Sequence, residues 1–120
     1  MNNGAIVIEW GMPRQGREQK ALEVFFSTMQ KWEEWKSAGR IASYQPFGTL
    51  TGDYDKRSGF VLLQGTGQQM EALQHAEDYR QAVLGVINIA THVHVTVCET
   101  GDAMTSRMQR YGNSVKSMGI

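Results

Sequence analysis

Apolar residues first come in a near-continuous run. Ala5-Ile6-Val7-Ile8-Glu9-Trp10, closed by Gly11 and Pro13, has the length and β-branched content of a strand. Its near-continuous apolarity predicts burial on both faces. From about Gly16 to Ala38 the period lengthens: Leu22, Phe25, Met29 and Trp32 fall at i, i+3, i+7 and i+10, with Phe26 flanking the stripe. That is a long helix with an aromatic inner face. Glu18 suits its start, and Lys36 with Gly39 suits its end.

Ile41 to Leu50 alternates weakly and contains Pro46, which places it at a sheet edge. A polar turn, Thr51 to Gly59, joins it to the apolar run Phe60-Val61-Leu62-Leu63-Gln64, giving a hairpin whose second strand is again expected to be buried on both sides. Thr66 and Gln69 have capping-box spacing. The helical stretch that follows reaches about Ala90 with a break near Ala76-Glu77, anchored by Met70 and Leu73, then by Tyr79, Val83, Val86 and Ala90. His92 to Glu99 alternates strictly, with Val93, Val95 and Val97 on one face and His92, His94, Thr96 and Cys98 on the other. This is the clearest two-residue period in the chain. Beyond Gly101, Met104, Met108, Tyr111 and Val115 at i, i+4, i+7 and i+11 predict an amphipathic helix over 102–118 with Asp102 as N-cap. Gly112 weakens that helix by about 1 kcal/mol relative to alanine.

The order β-α-β-β-α-β predicts one α+β domain over residues 1–120: a four-stranded antiparallel sheet, both helices on one face, and a helical extension. The second face is then bare. Soluble monomers rarely leave a large apolar face exposed, so two copies packed face to face are expected. The long helix after Ala5–Trp10, the hairpin across Asp53–Gly59, and Glu77-Asp78-Tyr79-Arg80 leading to the His92–Glu99 strand are similar in order and character to the dimeric α+β barrel superfamily. The resemblance spans roughly residues 4–100. It implies a ferredoxin-like fold and a homodimer. The superfamily includes cofactor-free monooxygenases, haem-degrading enzymes, lactone isomerases and stress-responsive proteins of no known activity, so the resemblance does not single out a reaction.

Charge removes several classes. Lys and Arg number 12, as do Asp and Glu, so the chain offers no basic face of the kind nucleic acid requires. Cys98 is the single cysteine, which leaves no intrachain disulfide and no multi-thiolate metal site; it reads as a small buried hydrophobe. Met1 to Gly4 lacks a basic n-region, and Glu9 interrupts the apolar run behind it. No signal peptide or membrane span is expected, and a cytoplasmic location follows by elimination.

If the valines of the fourth strand pack on the helices, His92, His94, Thr96 and Cys98 face the bare side, joined by Val7 and Glu9 and, from the second strand, by Tyr44. A carboxylate beside two imidazoles in a poorly hydrated pocket suits proton transfer. Glu9, His92 and His94 are therefore the candidate catalytic residues, and Tyr44 and Thr96 the candidate substrate contacts. The plainer reading makes the histidines structural and Glu9 a half-exposed strand end. A pocket is expected in the lumen or between the sheet and the second helix. It would serve either a cofactor-free oxygenase or isomerase acting on a small aromatic or hydroxylated compound, or a non-catalytic binding or stress-response module. His92 and His94 lack an evident third ligand, so no metal is expected. Haem-degrading relatives use Asn, Trp and His together; Asn88, Trp32 and His92 supply the types without the family's pattern, and no cofactor is expected. The Trp32, Trp35, Phe25 and Phe26 cluster reads as core.

Overall fold

The computed structural model describes residues 1–119. The elements follow the expected order: β1 (Gly4–Trp10), α1 (Glu18–Ser37), β2 (Ser43–Gly48), β3 (Gly59–Gly65), α2 (Gly67–Gln74), α3 (Glu77–Ile89), β4 (His94–Glu99) and α4 (Gly101–Ser117). The four strands form one antiparallel sheet in the order β2-β3-β1-β4. The β2 strand, with its proline, lies at one edge and β4 at the other. No helix among the described residues is long and apolar enough to cross a membrane.

Parity sets the core. Ile6 and Ile8 of β1 and Val61 and Leu63 of β3 point to the helices and are buried against Trp32 and Trp35 of α1, Met70 and Leu73 of α2, and Tyr79 of α3. The opposite face carries Val7, Phe60 and Leu62, which are only half-buried because no element covers that side. Burial on both faces, expected for the two central strands, is thus absent within a single chain. Their near-continuous apolarity reflects a second surface left open.

The helix boundaries have local causes. Gly39 sits at φ 74°, and the N–H groups of Arg40 and Gly39 close the end of α1 on Trp35 O and Lys36 O. Thr66 and Gln69 make the full capping box of α2. Ala76, extended at ψ 136°, breaks the helical stretch where expected. The inner stripe of α1 is Ala21, Thr28, Trp32 and Trp35, whereas Leu22 and Phe26 are exposed. Thr28 returns its hydroxyl to Val24 O at 2.7 Å, satisfying its polar atom locally, so it packs as an apolar residue would.

The last turn of α3 has no basic residue of its own. Arg14 and Arg17, from the β1–α1 connection, donate side-chain hydrogen bonds to Ile87 O and Asn88 O, and Arg14 N–H reaches Ile89 O at 2.8 Å. Positive charge on the terminal carbonyls of a helix is favourable. The first helical residue of α4 is Gly101, with Thr100 as N-cap in place of Asp102, which lies in the first turn. The helix makes no extended contact with any other element and has no buried residue, and the described residues span 56 × 34 × 24 Å.

Candidate functional site

The open face of the sheet carries the predicted cluster. Register places Glu9 opposite both Phe60 and His94, and Val7 opposite Thr96. Glu9, His92 and His94 line one cleft of about 720 Å³ together with Phe47, Lys56 and Arg57. Arg57 descends from the β2–β3 hairpin, pairs with the Glu9 carboxylate and lies 5.9 Å over the Phe60 ring. Phe60 in turn stacks on Phe47 at 4.7 Å. Glu9 is therefore an ion-paired group, while the two histidines are exposed. His92 stands outside β4 with φ 52°, the one non-glycine residue with positive φ among those described. Thr96 shares the open face but sits beyond the cleft's lining.

Tyr44 lies on the other side. Its register partner is Leu63, which points into the core; its ring is 6.0 Å from Trp32, and its hydroxyl donates to Glu33 at 2.7 Å. That hydrogen bond is the main reason its phenol is pushed above the ordinary value. Placement of Tyr44 with the histidines is thus corrected. Weak alternation around Pro46 left the parity of β2 open, and pairing with β3 decides it.

A second cleft, of about 600 Å³, opens on the helix side between the sheet and the first helix, with Ile89 and Ala90 from the end of the second helical stretch in its lining. Trp10, Ala21, Phe25, Pro46 and Tyr54 supply apolar wall, and Phe47, whose ring lies on the open face, borders it with its backbone. Its one charged lining residue is Glu18, whose carboxylate accepts the Gly16 N–H at 2.8 Å. Trp10 is held by an edge contact with Phe25 at 5.9 Å and by stacking on Trp32 at 6.4 Å. Two glycines let the walls approach. A Cβ on Gly59 would lie 2.7 Å from Phe47 O and 2.9 Å from Trp10, and one on Gly11 would lie 2.6 Å from Asp55 O. The sequence contains no local signal for this cleft, since its walls come from the ends of β1, β2 and α3, the start of α1, and the hairpin.

A second polar cluster was also invisible in the sequence. Asp78, in the first turn of α3, accepts two hydrogen bonds from Arg40 at 2.6 and 2.8 Å and one from Trp35 Nε1 at 3.0 Å. The Arg40 bonds, aided by Trp35, hold its carboxyl well below the usual range. Burial alone pushes the neighbouring Tyr79 phenol up. All three partners are committed to one another, so the cluster joins α3 to the end of α1.

Haem finds no matching trio. Trp32 is packed in the core, Asn88 is exposed on α3, and His92 lines the open-face cleft. Among the described residues, no group of three His, Cys, Asp or Glu side chains is placed to hold a metal ion. Cys98 is half-buried opposite Ala5 on the open face.

No family model matches the sequence, and no curated protein matches it by sequence. Solved structures do match. A dimeric ferredoxin-like protein of unknown function from Bacteroides fragilis superposes with a TM-score of 0.63 at 8% identity, covering 81% of this chain and 95% of that one. One from Thermobifida fusca gives 0.62 at 13% identity, covering 83% and 93%. A protein of unknown function from Bacteroides thetaiotaomicron, described as a possible oxidoreductase, gives 0.58 at 14% identity, covering 83% and 100%. The chain therefore has the ferredoxin-like α+β fold that its resemblance to the dimeric α+β barrels implies.

Proposed function

We propose that the protein is a homodimer that binds a small, ring-bearing apolar molecule in the cleft between α1 and the sheet. The observation that carries this reading is the cleft itself: about 600 Å³, walled by Trp10, Phe25, Pro46 and Tyr54, with a single carboxylate in its lining. Ligand sites are typically concave, mostly apolar and of this volume, with few polar groups to fix orientation. The dimer is supported by the uncovered sheet face and by fold neighbours described as dimeric. Saturation-transfer NMR with indoles, naphthols and small phenols tests the site. Ala21→Phe fills the cleft from the α1 side, and a more than tenfold loss of binding is expected. Undiminished binding by the folded variant would count against the cleft.

A second reading, favoured by the shared lining of Glu9, His92 and His94, is cofactor-free acid–base chemistry in the open-face cleft, as an oxygenase or isomerase. Under it, His94→Ala abolishes turnover of a bound compound and leaves affinity in the helix-side cleft unchanged. Equal turnover by the variant removes that reading.

A further inference from the structure

We propose that α4 is a dimer clasp: each copy lays its Met104, Met108 and Tyr111 stripe over the uncovered outer part of β4 in the other. This rests on the homodimer reading above and adds the element that completes the contact. Four observations lead to it.

The helix has no partner at home. It begins one residue after β4, Arg107 ion-pairs with Glu99 at the strand's end, and the remainder touches no other element extensively. Met108 and Tyr111 are 64% and 72% exposed. A 17-residue helix containing Gly112 is marginal in water without tertiary packing, so its stripe implies a surface to pack on.

The same chain carries an uncovered apolar surface to receive it. Val95 and Val97 pair with Ile8 and Ile6 and so point to the helix side. No helix reaches this edge, and they are 41% and 49% exposed. Stripe and receptor on one chain are what a reciprocal two-fold contact requires.

Area argues in the same direction. A face of four strands, each six or seven residues long, covers roughly 400 Å² at usual strand spacing and rise. A standard stable interface needs about 800 Å² per partner. One face of α4, about 25 Å long and 10 Å wide, offers roughly 250 Å². Given whole and received on a strand of roughly 100 Å² by the same measure, it brings each copy to roughly 750 Å², near the standard size.

Position supplies the last link. The β4 strand is a sheet edge, so α4 leaves the fold at the margin common to both faces, where a second sheet packed on the open face would end and from where the helix reaches round the partner's β4 edge to its far side.

The test is sedimentation of the full chain at micromolar concentration, for wild type, Met108→Glu, Tyr111→Glu, Val97→Glu and Leu62→Glu, with circular dichroism to verify folding. Met108→Glu, Tyr111→Glu and Val97→Glu are each expected to raise the dimer dissociation constant by about 100-fold, since each change is made twice in a symmetric contact. Hydrogen exchange should show α4 amides protected in proportion to dimer. A wild-type dimer that resists both α4 changes but is broken by Leu62→Glu overturns the clasp and leaves the sheet-face dimer standing. A wild-type monomer overturns both.

Discussion

Arg57 and Glu9 meet across the open-face cleft, a guanidinium carried by the β2–β3 hairpin closing on a carboxylate of the central strand β1. Because the guanidinium also lies over Phe60, the hairpin is fastened to the sheet by charge and by packing at once. A double-mutant cycle of Arg57→Ala and Glu9→Gln should give a coupling of about 1 kcal/mol, near the upper end for partly exposed pairs. Urea denaturation of the four proteins measures it, and additive effects would show that the pair contributes nothing.

The Arg40–Asp78–Trp35 cluster predicts an acid limb in the stability curve. The folded-state pKa of Asp78 is depressed, so its contribution is complete above the unfolded value near 4 and declines as pH falls below it. Both side chains of the ion pair are more than a third exposed, and solvent screening limits the contribution to about 1 kcal/mol. Thermal melts between pH 2 and 6 should show Asp78→Asn losing part of the wild-type slope; parallel curves would exclude Asp78 as the source.

Gly11 is needed for space, not for φ. A methyl there would press on the backbone carbonyls of Asp55 and Thr91, which belong to the hairpin and to the approach to β4. Gly11→Ala should cost about 1–3 kcal/mol, as overpacking does, and shift amide resonances in both segments. An unperturbed spectrum would show that the two segments give way freely.

His92 holds a left-handed backbone with a side chain that has no need of it. His92→Gly should therefore leave stability unchanged or raise it by up to about 1 kcal/mol, whereas His92→Ala keeps the strain and gains nothing. The comparison also separates backbone from imidazole in any activity assay, since both variants lose the ring.

Much of the architecture was legible because its signals are local. The Thr66–Gln69 box, the period of α1, the alternation of β4 and the edge proline of β2 each depend on neighbours in sequence. The parity of β1 and β4 likewise placed Glu9 and His94 on one face, and their register makes them neighbours. Tyr44 was misplaced because β2 has no strong alternation, and only its pairing with β3 fixes which way it points. Leu22 and Phe26 fit the apolar period of α1 yet are exposed, and period alone does not reveal that Thr28 satisfies its own hydroxyl and takes an inner position. The helix-side cleft and the Asp78 cluster draw on residues dozens of positions apart, and nothing local announces them.

The two arginines on the end of α3 have a mechanical corollary. They pin the β1–α1 connection to Ile87 and Asn88, so the lip of the helix-side cleft formed by Pro13, Ile89 and Ala90 is fastened to the end of α3. The other lip is the hairpin, joined to the sheet at the Thr49–Ser58 pair, with Tyr54 facing one cleft and Arg57 the other. The two lips are tied to each other, since Met12 N–H donates to Asp55 O at 3.1 Å. The hairpin thus bounds both clefts, and a ligand that displaces it on one side of the sheet bears on the Arg57–Glu9 pair on the other.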